Sequence, residues 1–178
     1  QGETWIQSNS GLPGMTITSF SAHPGSVDRL YATCSGRLAV SDNRGRTWRQ
    51  IGQLGSDLIT NASVVKGLHI LGQNLIYVGK QILITSDSPV CVSSDMGETF
   101  ADCYFSEPSD SPVTFIHKDF GKASRVFVGC EGLWESGNTG FEFLKMTHGA
   151  FSNASAMAQD PVLFDLMWVA RKSHGIMK

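Results

Sequence analysis

The chain has 178 residues, of which 41% are apolar and only 17% charged, and it contains 19 glycines. Low charge and abundant glycine are typical of a turn-rich β protein, and the length is enough for one domain with a substantial core. The net charge of −2 argues against nucleic acid as a partner, and no apolar run reaches the ~20 residues needed to insert into a membrane.

Four groups of strands are predicted along the chain, because β-branched and aromatic residues alternate with polar ones between turn-forming segments. The predicted first strands span residues 15–22, 63–71, 113–118 and 155–159. The predicted second strands span residues 29–33, 75–79, 125–129 and 166–170, and the third strands residues 37–40, 89–92, 133–135 and 175–178. Fourth strands are expected to begin at Trp5, Trp48, Phe100 and Phe143.

One pattern recurs between the predicted third and fourth strands. Its three copies consist of Ser41, Asn43, Gly45, Thr47 and Trp48; of Ser93, Asp95, Gly97, Thr99 and Phe100; and of Ser136, Asn138, Gly140 and Phe143. The aromatic residues at positions 5, 48, 100 and 143 are 43, 52 and 43 residues apart, a period typical of four-stranded propeller blades. An Asp or Asn side chain can accept hydrogen bonds from nearby backbone amides, and glycine tolerates a positive φ. The pattern therefore predicts a tight hairpin turn with a structural role.

The pattern resembles the Asp box, or BNR repeat, found in sialidases, xyloglucanase-like glycosidases, sortilin-type receptors and photosystem assembly factors. The second copy has Asp95 at the Asp position, whereas the first and third have Asn43 and Asn138. The resemblance implies an all-β β-propeller of four-stranded antiparallel blades, with about four blades in residues 1–178. We expect a single propeller domain or propeller segment. Four blades could close into a ring, but the resemblance favours a part of a larger ring.

Charged residues are predicted on one face of such a propeller. Loops from fourth to first strands and turns from second to third strands share the usual binding face, and the predicted binding residues there are Asp57, Lys80, Glu107, Asp110, Glu131, Arg171 and His174. Glycoside hydrolysis needs two carboxylates across a cleft. No such pair stands out among the carboxylates of this face, so we assign no catalytic residues.

The four cysteines contain no CxxC pair, which argues against a zinc site, and we expect neither a metal nor a cofactor. Cys91 and Cys103 flank the second copy of the pattern, on its third and fourth strands. A hairpin could bring them within reach of each other, so a disulfide is predicted in an oxidising compartment.

The preferred function is an extracellular, non-catalytic binding or scaffold propeller that contacts glycan or protein through its loop face. Other chains or further blades are expected to complete the ring. Two alternatives remain open: a portion of a xyloglucanase-like glycoside hydrolase, and a sortilin-like receptor ectodomain. Residues 132–136, before the third copy of the pattern, are similar to strands of that receptor family.

Overall fold

The structure is a computed structural model that describes residues 4–23, 25–35, 37–52, 68–71, 75–79, 88–109, 111–147, 151–172 and 174–178. Within these ranges the chain is all-β, with sixteen strands in four sheets. The described part contains no helix of the length and apolar character that a membrane span requires.

Each sheet is built from consecutive strands. The first sheet contains β1 (Ile17–Ala22), β2 (Leu30–Cys34), β3 (Arg37–Ser41) and β4 (Arg49–Ile51). The second contains β5 (Leu68–Leu71), β6 (Leu75–Gly79), β7 (Val90–Ser93) and β8 (Ala101–Asp102). The third contains β9 (Tyr104–Phe105), β10 (Phe115–Lys118), β11 (Val126–Gly129), β12 (Leu133–Ser136) and β13 (Glu142–Lys145). The fourth contains β14 (Ala154–Gln159), β15 (Met167–Arg171) and β16 (Gly175–Met177).

Successive strands pair antiparallel in chain order, and β9 is the exception. It follows the second sheet in the chain but pairs parallel with β13, so that Tyr104 lies opposite Glu142 and Phe105 opposite Phe143. The segment after β8 thus crosses onto the third sheet. The sequence did not predict this pairing.

Three buried apolar clusters join the sheets face to face, because alternate residues of a strand point to opposite faces. The first cluster, between sheets one and two, contains Tyr31, Leu38, Val40, Ile51, Ile76 and Cys91. The second, between sheets two and three, contains Val90, Cys103, Phe105, Val113, Val126, Val128, Cys130, Trp134 and Phe143. The third, between sheets three and four, contains Phe127, Leu133, Ala154 and Val169. The sheets are therefore stacked blades, as the sequence predicted.

The predicted disulfide between Cys91 and Cys103 is wrong, because none of the four cysteines forms a disulfide. Cys91 belongs to the cluster facing the first sheet, whereas Cys103 belongs to the cluster facing the third. Cys91 lies opposite Asp102 in the strand register, so Cys103 is one residue out of register with it and points to the other face.

The predicted fourth strand at Trp5 is also wrong within this structure, because residues 4–9 form no strand. The other three predicted fourth strands correspond to β4, β8 and β13, although β4 and β8 start after the aromatic residue. Trp5 and Ile6 are each 90% exposed.

The three turns between third and fourth strands, here called the 3–4 turns, share one hydrogen-bond pattern. The glycine amides of Gly45, Gly97 and Gly140 each donate to the Oγ of Ser41, Ser93 and Ser136, at 2.8 Å in every copy. The Oδ1 atoms of Asn43, Asp95 and Asn138 accept from the amides of Thr47, Thr99 and Glu142, at 2.9, 2.9 and 3.0 Å. The turn thus satisfies its own backbone donors, which explains why polar side chains recur at these positions.

Two consecutive residues in each 3–4 turn have positive φ. In the second turn these are Met96 at 63° and Gly97 at 92°, and the first and third turns repeat the arrangement. Hairpin turns that match the twist of their strands need this conformation. A hydrogen bond from the Thr99 hydroxyl, reinforced by the Thr99 amide, lowers the pKa of Asp95 to about 2.

Candidate binding face

The two ends of the blades carry different connections, because strands in each sheet alternate in direction. The 2–3 turns and the loops from fourth to first strands form one end, here called the loop face. The 1–2 turns and the 3–4 turns form the other end, here called the turn face. Three 3–4 turns therefore lie opposite the loop face.

Asn153 joins two neighbouring turns of the loop face. Its amide donates to the carbonyl of Glu131 at 2.7 Å, and its carbonyl accepts from the amide of Lys172 at 3.0 Å. Asn153 adopts a φ of 57°, a conformation that Asn tolerates better than most residues. The backbone of the third and fourth blades is thereby fixed at this end, while Glu131 and Lys172 are exposed.

Polar contacts also position the neighbouring side chains. Arg171 Nε donates to the carbonyl of Ser152 at 3.2 Å, and the Nδ1 atom of His174 lies 3.0 Å from the carbonyl of Lys172. Arg171 therefore contacts the residue before Asn153, which in turn binds the backbone of Glu131. His174 lies in the turn that follows Arg171.

Glu107 lies in the loop between the second and third blades and forms an ion pair with Lys145, with 3.1 Å between Oε2 and Nζ. The same Nζ atom lies 5.5 Å from the centre of the buried Trp134 ring. Four of the predicted binding residues are thus placed on the loop face. Asp57, Lys80 and Asp110 lie outside the described residues.

The turn face contains a buried polar cluster that sequence reasoning missed. Gln159, which is 6% exposed, donates to Asp119 Oδ1 at 2.9 Å and to the carbonyl of Phe164 at 2.6 Å. Its Oε1 atom accepts from the amide of Phe120 at 2.7 Å and lies 3.4 Å from Nε2 of His117. Gln159 therefore connects the 1–2 turns of the third and fourth blades.

Asp119 is the charged centre of this cluster and is 3% exposed. Its Oδ1 atom accepts from the amides of Gly121 and Lys122, and Arg125 lies 3.4 Å from Oδ2. Burial alone would raise the pKa of Asp119, but the hydrogen bonds from Gln159, Gly121 and Lys122 and the charge of Arg125 outweigh it and lower the pKa. Burial also lowers the pKa of His117, which favours its neutral form.

A repeated hydrogen-bond pattern could have revealed this cluster: the residue directly after the first strand makes the same contacts in three of the blades. The amides of His23, Asp119 and Asp160 donate to the carbonyls of Arg29, Arg125 and Leu166. Their side chains accept in turn from the amides of Gly25, Gly121 and Val162. His23 differs in chemistry from the two aspartates, which hides the repeat in the sequence. Within the described residues, no group of three or more His, Cys, Asp or Glu side chains is placed to hold a metal ion.

Solved structures share this fold at low sequence identity. The chain is similar to an ancestral GH74 enzyme, with a TM-score of 0.70 and 15% identity over 90% of this chain and 22% of that chain. It is similar to YCF48 bound to D1 peptide, with a TM-score of 0.66 and 11% identity over 92% of this chain and 50% of that chain. It is also similar to the extracellular domain of a B. thetaiotaomicron chain described as a one component system, with a TM-score of 0.70 and 13% identity over 97% of this chain and 22% of that chain.

The chain therefore spans between about a fifth and a half of the length of these structures. No family model matches it. No curated protein matches it. Identities this low show the fold alone, and that fold is a β-propeller.

Proposed function

We propose that this chain is a binding propeller that holds a protein or glycan partner on its loop face without catalysing a reaction. The observation that carries the proposal is the double hydrogen bond of Asn153, which fixes the backbone around Glu131 and Lys172 while both side chains stay exposed. Charged side chains on a rigid backbone can recognise a partner at a low cost in conformational entropy.

The three 3–4 turns support the identification of this propeller as an Asp-box type. Their serine, Asp or Asn, and glycine residues make the same contacts in all three copies. These contacts are internal to each turn, and the turns lie on the face opposite the proposed binding face. We assign them a structural role.

Solved structures with a similar fold support binding as a role for such propellers. One similar structure holds a peptide, and another is an extracellular domain. We propose an extracellular location for this chain as well, where burial would shield its four cysteines from oxidation.

A hydrolase is the second candidate, because GH74 enzymes share the fold and Glu107 and Glu131 are exposed carboxylates on the loop face. In this alternative the two residues would face a glycan across a cleft and divide the roles of acid and base. We rank this alternative second because no pair of carboxylates across a cleft stands out in the sequence.

The test is a screen of the purified chain against a glycan array containing xyloglucan oligosaccharides and against a displayed peptide library. For any ligand found, the affinity is then measured for the wild type, for the charge-reversed double variant E131K/K172E and for the control E98K. Glu98 lies on the turn face and is also exposed. We expect about a tenfold or greater loss of affinity in the double variant and no change in E98K. Equal affinity in all three proteins would refute the proposal, and release of shortened glycan would establish the hydrolase instead.

A further inference from the structure

The connection between β14 and β15, which is the 1–2 turn of the fourth blade, carries a run of exposed apolar residues. Pro161 is exposed, and Val162, Leu163 and Phe164 are 78%, 62% and 44% exposed. Phe120, in the 1–2 turn of the third blade, is 55% exposed. Turns are ordinarily polar, and several exposed apolar residues in a row are typical of a surface with a function.

The exposed residues of these two turns form one continuous surface, here called the apolar patch, which consists of Phe120, Val162, Leu163 and Phe164. The turns touch, because Gly121 packs so closely against Phe164 that a Cβ built on this glycine would lie 2.9 Å from the Cβ of Phe164. At their exposed fractions, the four side chains present on the order of 400 Å² of apolar surface. Patches of this size on a protein surface commonly mark an interaction site.

The exposure of the patch belongs to its position in the blade. Residues 162–164 follow Asp160 as residues 121–123 follow Asp119 in the third blade. Residues 121–123 are exposed as well, although the third blade has a described blade on each side. In the first blade, the last of the three positions is occupied by Val27, which is 82% exposed. A residue at these positions is therefore exposed when neighbouring blades are in place.

Each residue of the patch has a backbone polar group that is held by a side chain of the same turns. Gln159 Oε1 accepts from the amide of Phe120 at 2.7 Å, and its Nε2 atom donates to the carbonyl of Phe164 at 2.6 Å. Asp160 Oδ1 accepts from the amides of residues 162 and 163, both at 2.8 Å. A backbone group without a partner is costly to move out of water. Because these groups are already bonded, the patch can leave water at a low cost.

Area and charge favour a lipid surface over a protein as the partner of the patch. A stable protein interface takes about 800 Å² from each partner, roughly twice the area of the patch, whereas binding to a membrane interface strengthens with any apolar area that is buried. The charges that border the patch are two cations and two anions: Lys122, Lys178, Asp160 and Asp165. Since these charges balance, they match a zwitterionic headgroup layer better than an anionic one.

We infer that the turn face docks on a zwitterionic lipid bilayer by inserting the apolar patch into the boundary between headgroups and acyl chains. Such a contact reaches only about 5–10 Å into the bilayer, so it needs no segment long enough to cross it. The loop face lies at the other end of the blades and therefore points away from the membrane, where a binding partner can reach it. The inference does not depend on the proposed function, because it concerns the opposite face.

The test is flotation of the purified chain with phosphatidylcholine vesicles, for the wild type, V162S, V162S/L163S and V27S. Val27 is the matched control, because it is also an exposed valine in a 1–2 turn but lies on the first blade, outside the patch. The substituted residues belong to none of the three buried clusters, so the fold should be retained.

We expect V27S to bind the vesicles as the wild type does, V162S to bind about threefold more weakly, and V162S/L163S at least tenfold more weakly. A wild type that does not float with the vesicles would overturn the inference, and so would a V27S variant that loses as much binding as V162S.

Vesicles that also contain phosphatidylserine, together with a salt series, separate insertion of the patch from adsorption through charge. We expect no gain in binding from the anionic lipid and no loss between about 0.1 and about 1 M salt. Binding that requires phosphatidylserine and disappears at high salt would refute insertion of the patch.

The variant L163W reports insertion directly, with V27W as its control. Brominated phosphatidylcholine should quench the emission that L163W gains over the wild type and leave the emission that V27W gains unquenched. Light scattering of the flotation variants tests a protein partner at the same patch. A wild type that self-associates while V162S/L163S stays monomeric would identify the patch as an interface between copies and would refute docking on lipid.

Discussion

Replacing Gln159 with methionine tests how strongly the polar cluster holds the third and fourth blades together. The substitution keeps the side-chain length but removes three well-formed hydrogen bonds of 2.6–2.9 Å. Two neutral hydrogen bonds contribute about 1 kcal/mol each, and the bond to the Asp119 carboxylate about 2 kcal/mol. The apolar methionine recovers part of this by burial, so we expect the free energy of unfolding to fall by about 3 kcal/mol.

The assay is urea denaturation of the wild type, Q159M and Q50M, followed by fluorescence at constant pH. Gln50 is exposed on β4, so Q50M should stay within about 0.5 kcal/mol of the wild type. The expected loss in Q159M corresponds to a fall in melting temperature of roughly 6–12 °C for a chain of this size. A Q159M variant as stable as Q50M would refute the reasoning that Gln159 clamps the two turns.

Three further predictions concern the 3–4 turns and the cysteines. The lowered pKa of Asp95 adds stability that is complete above its ordinary pKa and is lost as the pH falls toward about 2. In denaturation curves, the free energy of unfolding of the wild type should therefore exceed that of D95N by a margin that shrinks between pH 4 and pH 2. A margin that is constant with pH would contradict this. Thr139 has a φ of 60°, a conformation that is unfavourable for a β-branched residue. In urea titrations, T139N should therefore raise the free energy of unfolding by about 0.5–1 kcal/mol. A loss of stability would show instead that the side-chain contacts of Thr139 dominate. Burial raises the pKa of the Cys34 and Cys130 thiols, and all four cysteines are buried. Mass spectrometry should therefore find no label on the native chain after treatment with iodoacetamide at pH 8, and four added groups on the unfolded chain. Fewer than four groups on the unfolded chain would reveal a disulfide.

The blade architecture could be predicted because the repeat combines two independent signals. Gly97 and its equivalents have positive φ, and the aromatic residues that follow recur at a blade-length period. Each observed second and third strand lies within a residue or two of its predicted bounds. Local turn chemistry and strand alternation thus determine most of the fold.

The missed features depend on contacts between blades, which no local pattern reports. The predicted disulfide failed because Cys91 and Cys103 differ by one residue in register, and one residue reverses the face. Gln159 and Asp119 are 40 residues apart, and nothing in their neighbouring residues indicates that they meet. Residues 4–9 form no strand, although Trp5 continues the period of the aromatic residues.

Hydrogen exchange of the backbone amides, with and without a ligand selected in the screen, tests the binding face most directly. We expect the ligand to slow exchange in residues 130–132, 151–153, 171–172 and 174–175 of the loop face. Exchange in the 3–4 turns, at residues 42–47, 94–99 and 137–142, should be unchanged. Protection confined to the 3–4 turns would contradict binding at the loop face and would place recognition on the opposite face of the propeller.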